Sequence, residues 1–176
     1  MVEKLNIGGL FLAKDFIFVT VGTHYQPFNR LLQGLDELFE KGKIKHKIIA
    51  QIGNSTYLPK NYKFFRFSSE KERAKLIKRA KFIINHGGAG SVIESLIYRK
   101  PTIIFPRQVK YNEHYNNSAV TLANMLDKKG FAIKALEVRD LPKALKKAES
   151  FKIKMVDYKS LKQKLDLYLK ELSKKL

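Results

Sequence analysis

The 176-residue sequence contains no cysteine and only 5 prolines and 10 glycines. Without cysteine, a disulfide framework, a thiolate nucleophile and a thiolate-bound zinc or iron site are all excluded. No charge-free apolar run approaches the roughly 20 residues that a membrane-spanning helix needs, and the first residues lack the pattern of a signal peptide. Charged residues make up 29% of the chain. We therefore expect one folded domain in a reducing cytoplasm.

Acidic residues are also scarce. The chain has 16 Asp and Glu but 35 Lys and Arg, which gives a net charge of +19. Between residues 41 and 81, thirteen basic side chains are opposed only by Glu70 and Glu72. Such a charge favours nucleic acid, anionic lipid headgroups or phosphate-bearing substrates. The alternative is a solvated lysine surface. Nucleic acid is the weakest of these partners, because no aromatic residues alternate with arginine in a recognisable binding motif.

Short apolar, β-branched runs alternate with helical patterns from residue 16 onwards. This alternation predicts an α/β fold, a single Rossmann-like domain whose parallel sheet of about six strands carries helices on both faces. Ser69 followed by Glu72 predicts a capping box that opens a helix, and helical spacing runs from Glu113 to Leu126. The predicted strands are residues 16–21, 46–53, 62–67, 81–86, 101–106 and 131–135.

The two ends of the chain are expected to differ from the central domain, residues 16–150. Residues 1–15 are interpreted as an N-terminal extension or linker. Residues 151–176 are expected to form a C-terminal amphipathic helix, with apolar side chains spaced three and four apart at Tyr158, Leu161, Leu165, Tyr168 and Leu172. That apolar stripe packs either on the sheet of this domain or against a partner chain.

The main candidate site is a glycine-rich break between a predicted strand and a predicted helix. Small residues there leave backbone N–H groups unobstructed where the helix dipole adds about half a positive charge, which suits an anion. The break is neither a Walker loop nor a G-x-G-x-x-G fingerprint, since Ile93 occupies the place of the third glycine. A tight structural turn is the alternative. The glycine-rich break consists of His86, Gly87, Gly88, Ala89, Gly90 and Ser91.

Two further features lie beside this break. Gly22 and Thr23 follow another predicted strand, so both breaks should meet at the carboxyl edge of the sheet, where such folds bind ligands. Glu94 lies one turn into the helix, where its carboxylate would repel a phosphate but could accept two ribose hydroxyls. A nucleotide diphosphate fits this spacing. The alternative role for Glu94 is to complement the helix dipole.

A cluster of short polar groups follows the strand at 101–106 and belongs to the same edge. Such a cluster suits the hydroxyl groups of a hexose. The alternative is that Asn112 or Asn116 caps the next helix, which would account for one of these residues. The cluster consists of Glu113, His114, Asn116 and Asn117.

Four segments together resemble a known family. They are "IFVTVGTHYQPFNRLL", "INHGGAGSVIESL", "KPTIIFPR" and "NEHYNNSAVTLA", within residues 17–123. They are similar to the C-terminal, UDP-sugar donor domain of GT-B fold glycosyltransferases, in the group that contains the peptidoglycan lipid-intermediate N-acetylglucosaminyltransferase. More closely they resemble the stand-alone catalytic subunits of split enzymes in that group, which transfer N-acetylglucosamine to dolichol-linked acceptors or glucuronic acid or galactose during bacterial exopolysaccharide assembly.

The resemblance implies roles for the candidate residues. Gly22, Thr23 and the Gly88–Ser91 loop would approach the phosphates, and Glu94 would take the ribose hydroxyls. The backbone near Phe67 would hold uracil, and the polar cluster from Glu113 to Asn117 would line the sugar. The UDP-sugar is then the substrate, and no cofactor or tightly held metal is expected. The family inverts the anomeric centre without a covalent intermediate.

The resemblance also implies partners, because a complete GT-B enzyme needs two such domains. In relatives the acceptor half is a separate membrane-anchored subunit, and the acceptor is a polyprenyl-diphosphate-linked sugar. A basic chain at an anionic membrane surface would fit this arrangement, placing the protein in the cytoplasm, peripheral at the inner face of the membrane. One departure bears on sugar identity and activity: relatives usually carry His-Gln where this chain has Ser118-Ala119.

The general base for the acceptor hydroxyl has several candidates. His24 follows the first phosphate loop, and a histidine that titrates near neutrality suits this task; His114 and the partner subunit are alternatives. Each histidine is alternatively a hydrogen-bonded structural group, and His86 is expected to orient its loop. Two other functions remain open: a non-catalytic, nucleotide-binding regulatory module of the same fold, and a basic nucleic-acid-binding protein.

Overall fold

The computed structural model describes residues 15–153, and these residues contain one six-stranded parallel sheet. The spatial order is β3-β2-β1-β4-β5-β6, which confirms the predicted fold class. The predicted N-terminal extension and C-terminal helix lie outside the described residues. The strands are β1 (Phe16–Thr20), β2 (Lys47–Gln51), β3 (Lys63–Phe65), β4 (Phe82–Asn85), β5 (Thr102–Ile104) and β6 (Ile133–Lys134).

Five α-helices lie within the same described residues, and the capping box is confirmed. The Ser69 hydroxyl accepts from the Glu72 N–H at 3.3 Å, and the Glu72 carboxylate accepts from the Ser69 N–H at 2.9 Å. The fourth helix begins at Ser118, five residues later than the helical spacing from Glu113 predicts. The helices are α1 (Asn29–Glu40), α2 (Glu70–Arg79), α3 (Ala89–Ile97), α4 (Ser118–Lys129) and α5 (Leu141–Glu149).

The helices cover both faces of the sheet, because buried strands present apolar side chains alternately to each side. Ile17 and Val19 of β1 pack with α1 and α5. Phe16 and Phe18 point to the opposite face and pack with α2, and Ile104 of β5 packs there with α3 and α4. Within residues 15–153, no helix has the length and apolar character that crossing a bilayer requires.

The strand order reverses between β1 and β4, and this reversal positions the site. The chain moves outward from β1 to β2 and β3, then returns to β4 on the other side of β1. Thr20 and Asn85, the last residues of β1 and β4, are register partners. The loops that follow them leave in different directions, so a crevice opens between them at the carboxyl edge of the sheet.

A buried carboxylate holds the loop that joins β2 to β3. The Asp36 side chain, 2% exposed on α1, accepts from the Tyr57 hydroxyl at 2.8 Å and from the backbone N–H groups of Lys60 and Asn61 at 2.8 and 3.0 Å. Burial raises the pKa of Tyr57 to about 12, and the hydrogen bond to Asp36 adds to the increase.

Replacement of Asp36 by alanine should lower the free energy of unfolding by about 3 kcal/mol, because it leaves two N–H groups and a hydroxyl without their shared acceptor. Urea unfolding measures this difference. The matched control is Glu37→Ala on the same helix, since Glu37 is exposed and pairs with Lys41 at 3.7 Å; that loss should stay near 0.5 kcal/mol. Equal losses in the two variants would contradict the role given to Asp36.

Candidate functional site

Two glycine loops meet at the crevice between β1 and β4, as predicted. The first follows β1 and contains Gly22, whose φ of +76° favours glycine. The second follows β4, where Gly88 precedes the first turn of α3 with an ordinary φ of −66°. The free N–H groups at the start of α3 therefore face the region where both loops converge.

The imidazole of His86 lies between the two loops. A β-carbon on Gly22 would come within 2.6 Å of its Cε1 and Nε2 atoms, and one on Gly88 would overlap Nε2. Glycine is required at Gly88 by this close approach alone, because its backbone conformation suits any residue. The prediction that His86 orients its loop agrees with this position, and the structure extends it, because the ring contacts both loops.

His86 is neutral at physiological pH, and its protonated nitrogen can be assigned. Burial lowers its pKa to about 4, Arg107 adds to the decrease, and the Thr20 carbonyl partly opposes it. Nδ1 lies 3.3 Å from the Thr20 carbonyl oxygen. Since a carbonyl oxygen can only accept, Nδ1 carries the proton and Nε2, beside the glycines, carries the lone pair.

An open cleft of about 430 Å³ lies on the α2 side of the glycine loops, and we call it the glycine-loop cleft. It brings together most of the residues predicted to contact phosphates and ribose. Gln51 and Arg73 also line it, and no local sequence pattern indicates either residue. Its lining residues are Thr20, Gly22, Thr23, Gln51, Arg73, His86, Gly88, Ala89, Gly90, Ser91 and Glu94.

Glu94 lines this cleft but is not free in the structure. Its Oε2 accepts from the Arg73 Nε at 2.8 Å, so an ion pair joins α2 to α3 across the cleft. Both side chains are partly exposed, at 21% for Glu94 and 27% for Arg73. A carboxylate offers about four lone-pair sites, so Glu94 can keep Arg73 and still accept from a ligand hydroxyl.

A second cavity of about 320 Å³ lies on the other side of the second glycine loop, and we call it the histidine pocket. The rings of His24 and His114 stand at its wall with their centroids 4.9 Å apart. Ser118 and Ala119, the positions of the departure from relatives, also line it. The complete lining is Thr23, His24, His86, Gly87, Gly88, Ala89, Arg107, His114, Ser118, Ala119 and Leu122.

Arg107 lies beneath this pocket, only 2% exposed, and ties together the two loops that carry the histidines. Its guanidinium donates to the backbone carbonyls of Val21 at 3.1 Å, Gln26 at 2.8 Å and Glu113 at 3.1 Å. Burial lowers its pKa to about 10, so it stays charged at neutral pH. Its Nε atom is buried without a hydrogen-bond partner among residues 15–153. Arg107 is the last residue of the segment "KPTIIFPR", and no local sequence pattern indicates its role.

The prediction that Glu113 lines the sugar is wrong in this structure. The carboxylate is 4% exposed and accepts from Arg30 of α1 through both oxygens, at 2.8 and 2.9 Å. It also accepts from the Gln108 N–H at 3.0 Å. Because α4 begins only at Ser118, the preceding loop folds back onto α1 and turns Glu113 away from the pocket.

The two asparagines of the predicted sugar cluster also bond to their own loop. Asn116 accepts from the N–H and hydroxyl of Ser118 at 3.0 and 2.7 Å in an Asx turn; it does not cap α4, because the N-cap residue is Asn117. Asn117 accepts from the Val109 N–H at 3.2 Å. Of the four residues in the cluster, His114 is the one that lines the histidine pocket.

Phe67 lies at the carboxyl edge, two residues beyond the end of β3, and the residue is 48% exposed. It lines neither cavity, so the role of its backbone in holding uracil stays a prediction. No group of three or more His, Asp or Glu side chains with metal-binding geometry occurs in the described part of the chain.

Comparison with known proteins identifies the family. The glycosyltransferase family 28 C-terminal domain matches residues 16–173. The chain belongs to that family. Human UDP-N-acetylglucosamine transferase subunit ALG13 is 31% identical over 123 residues, which cover 65% of this chain and 10% of the human protein. The chain therefore spans about a tenth of the length of the curated relatives it matches.

Solved structures confirm the fold as that of a GT-B C-terminal domain. The calicheamicin glycosyltransferase CalG4 matches with a TM-score of 0.58 at 15% identity, over 78% of this chain and 35% of that chain. The solution structure of ALG13 matches with a TM-score of 0.57 at 18% identity, over 86% of this chain and 95% of that chain. The family resemblance predicted from the four sequence segments is thus confirmed.

The close approach of His86 to Gly88 makes a testable prediction. Gly88→Ala should lower the free energy of unfolding by about 1–3 kcal/mol, because the added methyl group displaces the His86 ring. A β-carbon at Gly90, in contrast, meets nothing within 4 Å, so Gly90→Ala should be neutral or stabilise α3 by up to about 1 kcal/mol. Thermal and urea unfolding compare the two. Equal destabilisation would contradict the described contact.

His86 should also make stability depend on pH. Its folded pKa of about 4 lies below its unfolded value of 6.5, so the unfolded chain binds more protons between these values. Stability from this group is complete above pH 6.5 and falls as the pH drops towards 4, by roughly 3 kcal/mol in total. Urea unfolding of the wild type and His86→Gln at pH 7.5 and 4.5 isolates the effect, since other groups titrate in both proteins. If the free energy of unfolding fell equally in both proteins between pH 7.5 and 4.5, a contribution of His86 to the pH dependence would be excluded.

Proposed function

We propose that this chain is the donor-binding, catalytic subunit of a two-chain inverting glycosyltransferase. It moves a hexose from a UDP-sugar to a polyprenyl-diphosphate-linked acceptor in the assembly of a glycan or polysaccharide. The observation that carries the proposal is the glycine-loop cleft, in which the free N–H groups of α3, two glycine loops and Glu94 converge at the switch point of the sheet.

The diphosphate is the part of the donor that the cleft suits best. The N–H groups of Gly88–Ser91 and the dipole of α3 provide positive potential, and the space beside Gly90 is open, since a β-carbon there would meet nothing within 4 Å. The same N–H groups stabilise the charge that develops on the departing UDP. The proposed reaction needs no cofactor, since the UDP-sugar is itself the substrate.

The nucleoside is assigned to the α2 side of the cleft. Glu94 accepts the ribose hydroxyls while Arg73 keeps its carboxylate oriented, as the 2.8 Å ion pair supports. Uracil extends towards the backbone near Phe67. The hexose then lies in the histidine pocket, on the other side of Gly88. Because the human relative is named a UDP-N-acetylglucosamine transferase subunit, UDP-N-acetylglucosamine is the first donor to test.

The acceptor half comes from a separate membrane-anchored subunit. Residues 15–153 form one domain with its candidate site at the carboxyl edge of one sheet, and a GT-B enzyme places its cleft between two such domains. Anionic lipid at the cytoplasmic, inner face of that membrane suits the net charge of +19. Exposed lysines that contribute to this charge include Lys41, Lys43, Lys45, Lys71 and Lys78.

A second candidate function is a nucleotide-binding regulatory module that does not transfer sugar. Ser118 and Ala119 favour it, because they line the histidine pocket where relatives carry a longer His-Gln pair. Ala119 packs against Gly87, whose added β-carbon would lie 2.9 Å from the alanine methyl group. UDP affinity without turnover beside any partner would support this alternative. A nucleic-acid-binding function predicts instead an affinity that falls steeply with salt and is indifferent to Glu94.

The role of Glu94 can be tested with UDP and its 2′-deoxy analogue by calorimetric titration. Glu94→Ala should weaken UDP binding roughly 10- to 100-fold, because charge-assisted hydrogen bonds to the ribose are lost. The wild type should bind UDP more tightly than 2′-deoxy-UDP, and the variant should bind both nearly equally. Glu70→Ala, at an exposed position on α2, is the matched control. A variant that keeps the full preference for UDP would refute the ribose assignment.

The two-chain character predicts how activity depends on a partner. Sugar transfer from UDP-N-acetylglucosamine or another UDP-sugar to a polyprenyl-diphosphate-linked acceptor should require co-expression of a membrane-anchored acceptor subunit, because one domain encloses only half of the catalytic cleft. Radiolabel incorporation into the lipid fraction measures it. Full activity of the isolated chain would contradict the two-chain proposal, and a UDP-binding chain that is inactive with every partner would leave the regulatory module as the function.

A further inference from the structure

The two histidines of the histidine pocket occur in the same local arrangement. His24-Tyr25-Gln26 follows β1, and His114-Tyr115-Asn116 follows β5. In each triplet the backbone N–H of the third residue donates to Nδ1 of the histidine at 3.3 Å. Each imidazole also stacks on the next tyrosine, with ring centroids 4.6 and 4.2 Å apart. The orientation of both rings is therefore determined by their own loops.

This arrangement determines which ring nitrogen carries the proton. A nitrogen that accepts from a backbone N–H must present a lone pair, so Nδ1 of His24 and of His114 is unprotonated. In a neutral imidazole the proton then lies on Nε2, at the other end of the ring. Protonation of Nδ1 would place two N–H groups against each other and break the hydrogen bond within the loop.

The surroundings favour the neutral form of His24. Burial lowers its pKa, and Arg107 and His114 lower it further. The other titratable groups that face the pair are His86, which is neutral, Arg107, which is charged, and the stacked Tyr25 and Tyr115. The carboxylate of Glu113, which binds Arg30 on α1, offsets only part of the charge of Arg107.

The pocket consequently presents hydrogen-bond donors. His24 and His114 offer their Nε2–H groups, and Arg107 contributes a buried guanidinium whose Nε lacks a partner among residues 15–153. No carboxylate belongs to the described lining. Such a lining suits ligand groups with many acceptor oxygens, such as the phosphate-linked end of a sugar, because these oxygens accept hydrogen bonds from the donors of the pocket.

We infer that His24 and His114 are neutral Nε2–H donors to the sugar-phosphate end of the donor, and that neither accepts the proton of the acceptor hydroxyl. The inference rests on the proposed function and reverses the prediction that one of them is the general base. Since Nδ1 is bonded within its loop and Nε2 carries a hydrogen, neither ring offers the acceptor a free lone pair.

The proton balance of the transfer follows from this assignment. The acceptor oxygen forms a bond to the anomeric carbon while the bond from that carbon to the phosphate oxygen breaks, and its electron pair goes to UDP. The two Nε2–H groups bind the oxygens on which charge develops, and the positive charge of Arg107 beneath the pocket adds to their effect. The acceptor proton goes to a carboxylate or imidazole base on the acceptor-binding subunit.

Nitrogen-15 NMR of the labelled full-length chain tests the tautomers directly. Long-range correlations between ring protons and nitrogens at pH 7.5 should show Nε2–H for His24 and His114 and Nδ1–H for His86. Single His→Gln variants assign the signals. An Nδ1–H or a positively charged ring at His24 or His114 would overturn the inference, whether or not the protein binds UDP.

A binding experiment tests the donor role. His24→Phe should weaken binding of the UDP-sugar roughly ten-fold more than binding of UDP, because one hydrogen bond to the sugar-phosphate end is lost. His24→Gln places an amide N–H near the position of Nε2 and should restore affinity to within about three-fold of the wild type. His46→Gln, which changes a histidine that pairs with Lys81 and Glu149, is the matched control, and thermal unfolding verifies that each variant folds.

The outcomes separate this inference from the proposed function. A wild-type chain that binds neither UDP nor any UDP-sugar would refute the proposed function. A wild type that binds them, with His24→Gln as weak as His24→Phe, would refute the donor role alone. In the reconstituted transfer assay, glutamine cannot serve as a base, so turnover by His24→Gln near the wild-type rate supports the inference, and a loss equal to that of His24→Phe contradicts it.

Discussion

The contact on which the site depends is the packing of one imidazole between two glycines. His86 directly follows the central strand β4, and its ring fills the space where β-carbons of Gly22 and Gly88 would stand. This packing brings two loops separated by more than sixty residues of sequence to the same point. The bare backbone on either side of the ring then becomes available to a ligand, while burial keeps the imidazole uncharged beside an anion site.

Two arginines, Arg107 and Arg30, also hold loops together near the crevice. Arg107 donates to backbone carbonyls of the loops after β1 and β5. Arg30 holds the Glu113 carboxylate and also donates to the carbonyls of Pro106 and Leu136. Irregular loops cannot pair all of their backbone carbonyls with their own N–H groups. Both arginines supply the missing donors, and this keeps the long loops ordered at the carboxyl edge of the sheet.

Local sequence patterns were sufficient for the fold and for part of the site. The Ser69–Glu72 capping box depends on residues three apart, and buried parallel strands appear as apolar runs. The glycine loops were predictable for the same reason, since strand, break and helix are contiguous. The sugar cluster was not. Glu113 binds Arg30, which lies 83 residues earlier, and Arg73 binds Glu94 from another helix. No local sequence pattern indicates pairings between residues so far apart in the chain.

The open space around Gly90 has a practical consequence. Unlike its neighbour Gly88, this residue can accept a side chain without contact to the rest of the domain, and it lies at the mouth of the glycine-loop cleft. The chain has no native thiol. A cysteine introduced at this position would thus be the sole attachment point for a fluorophore, and its emission would report occupancy of the cleft in the otherwise unmodified protein.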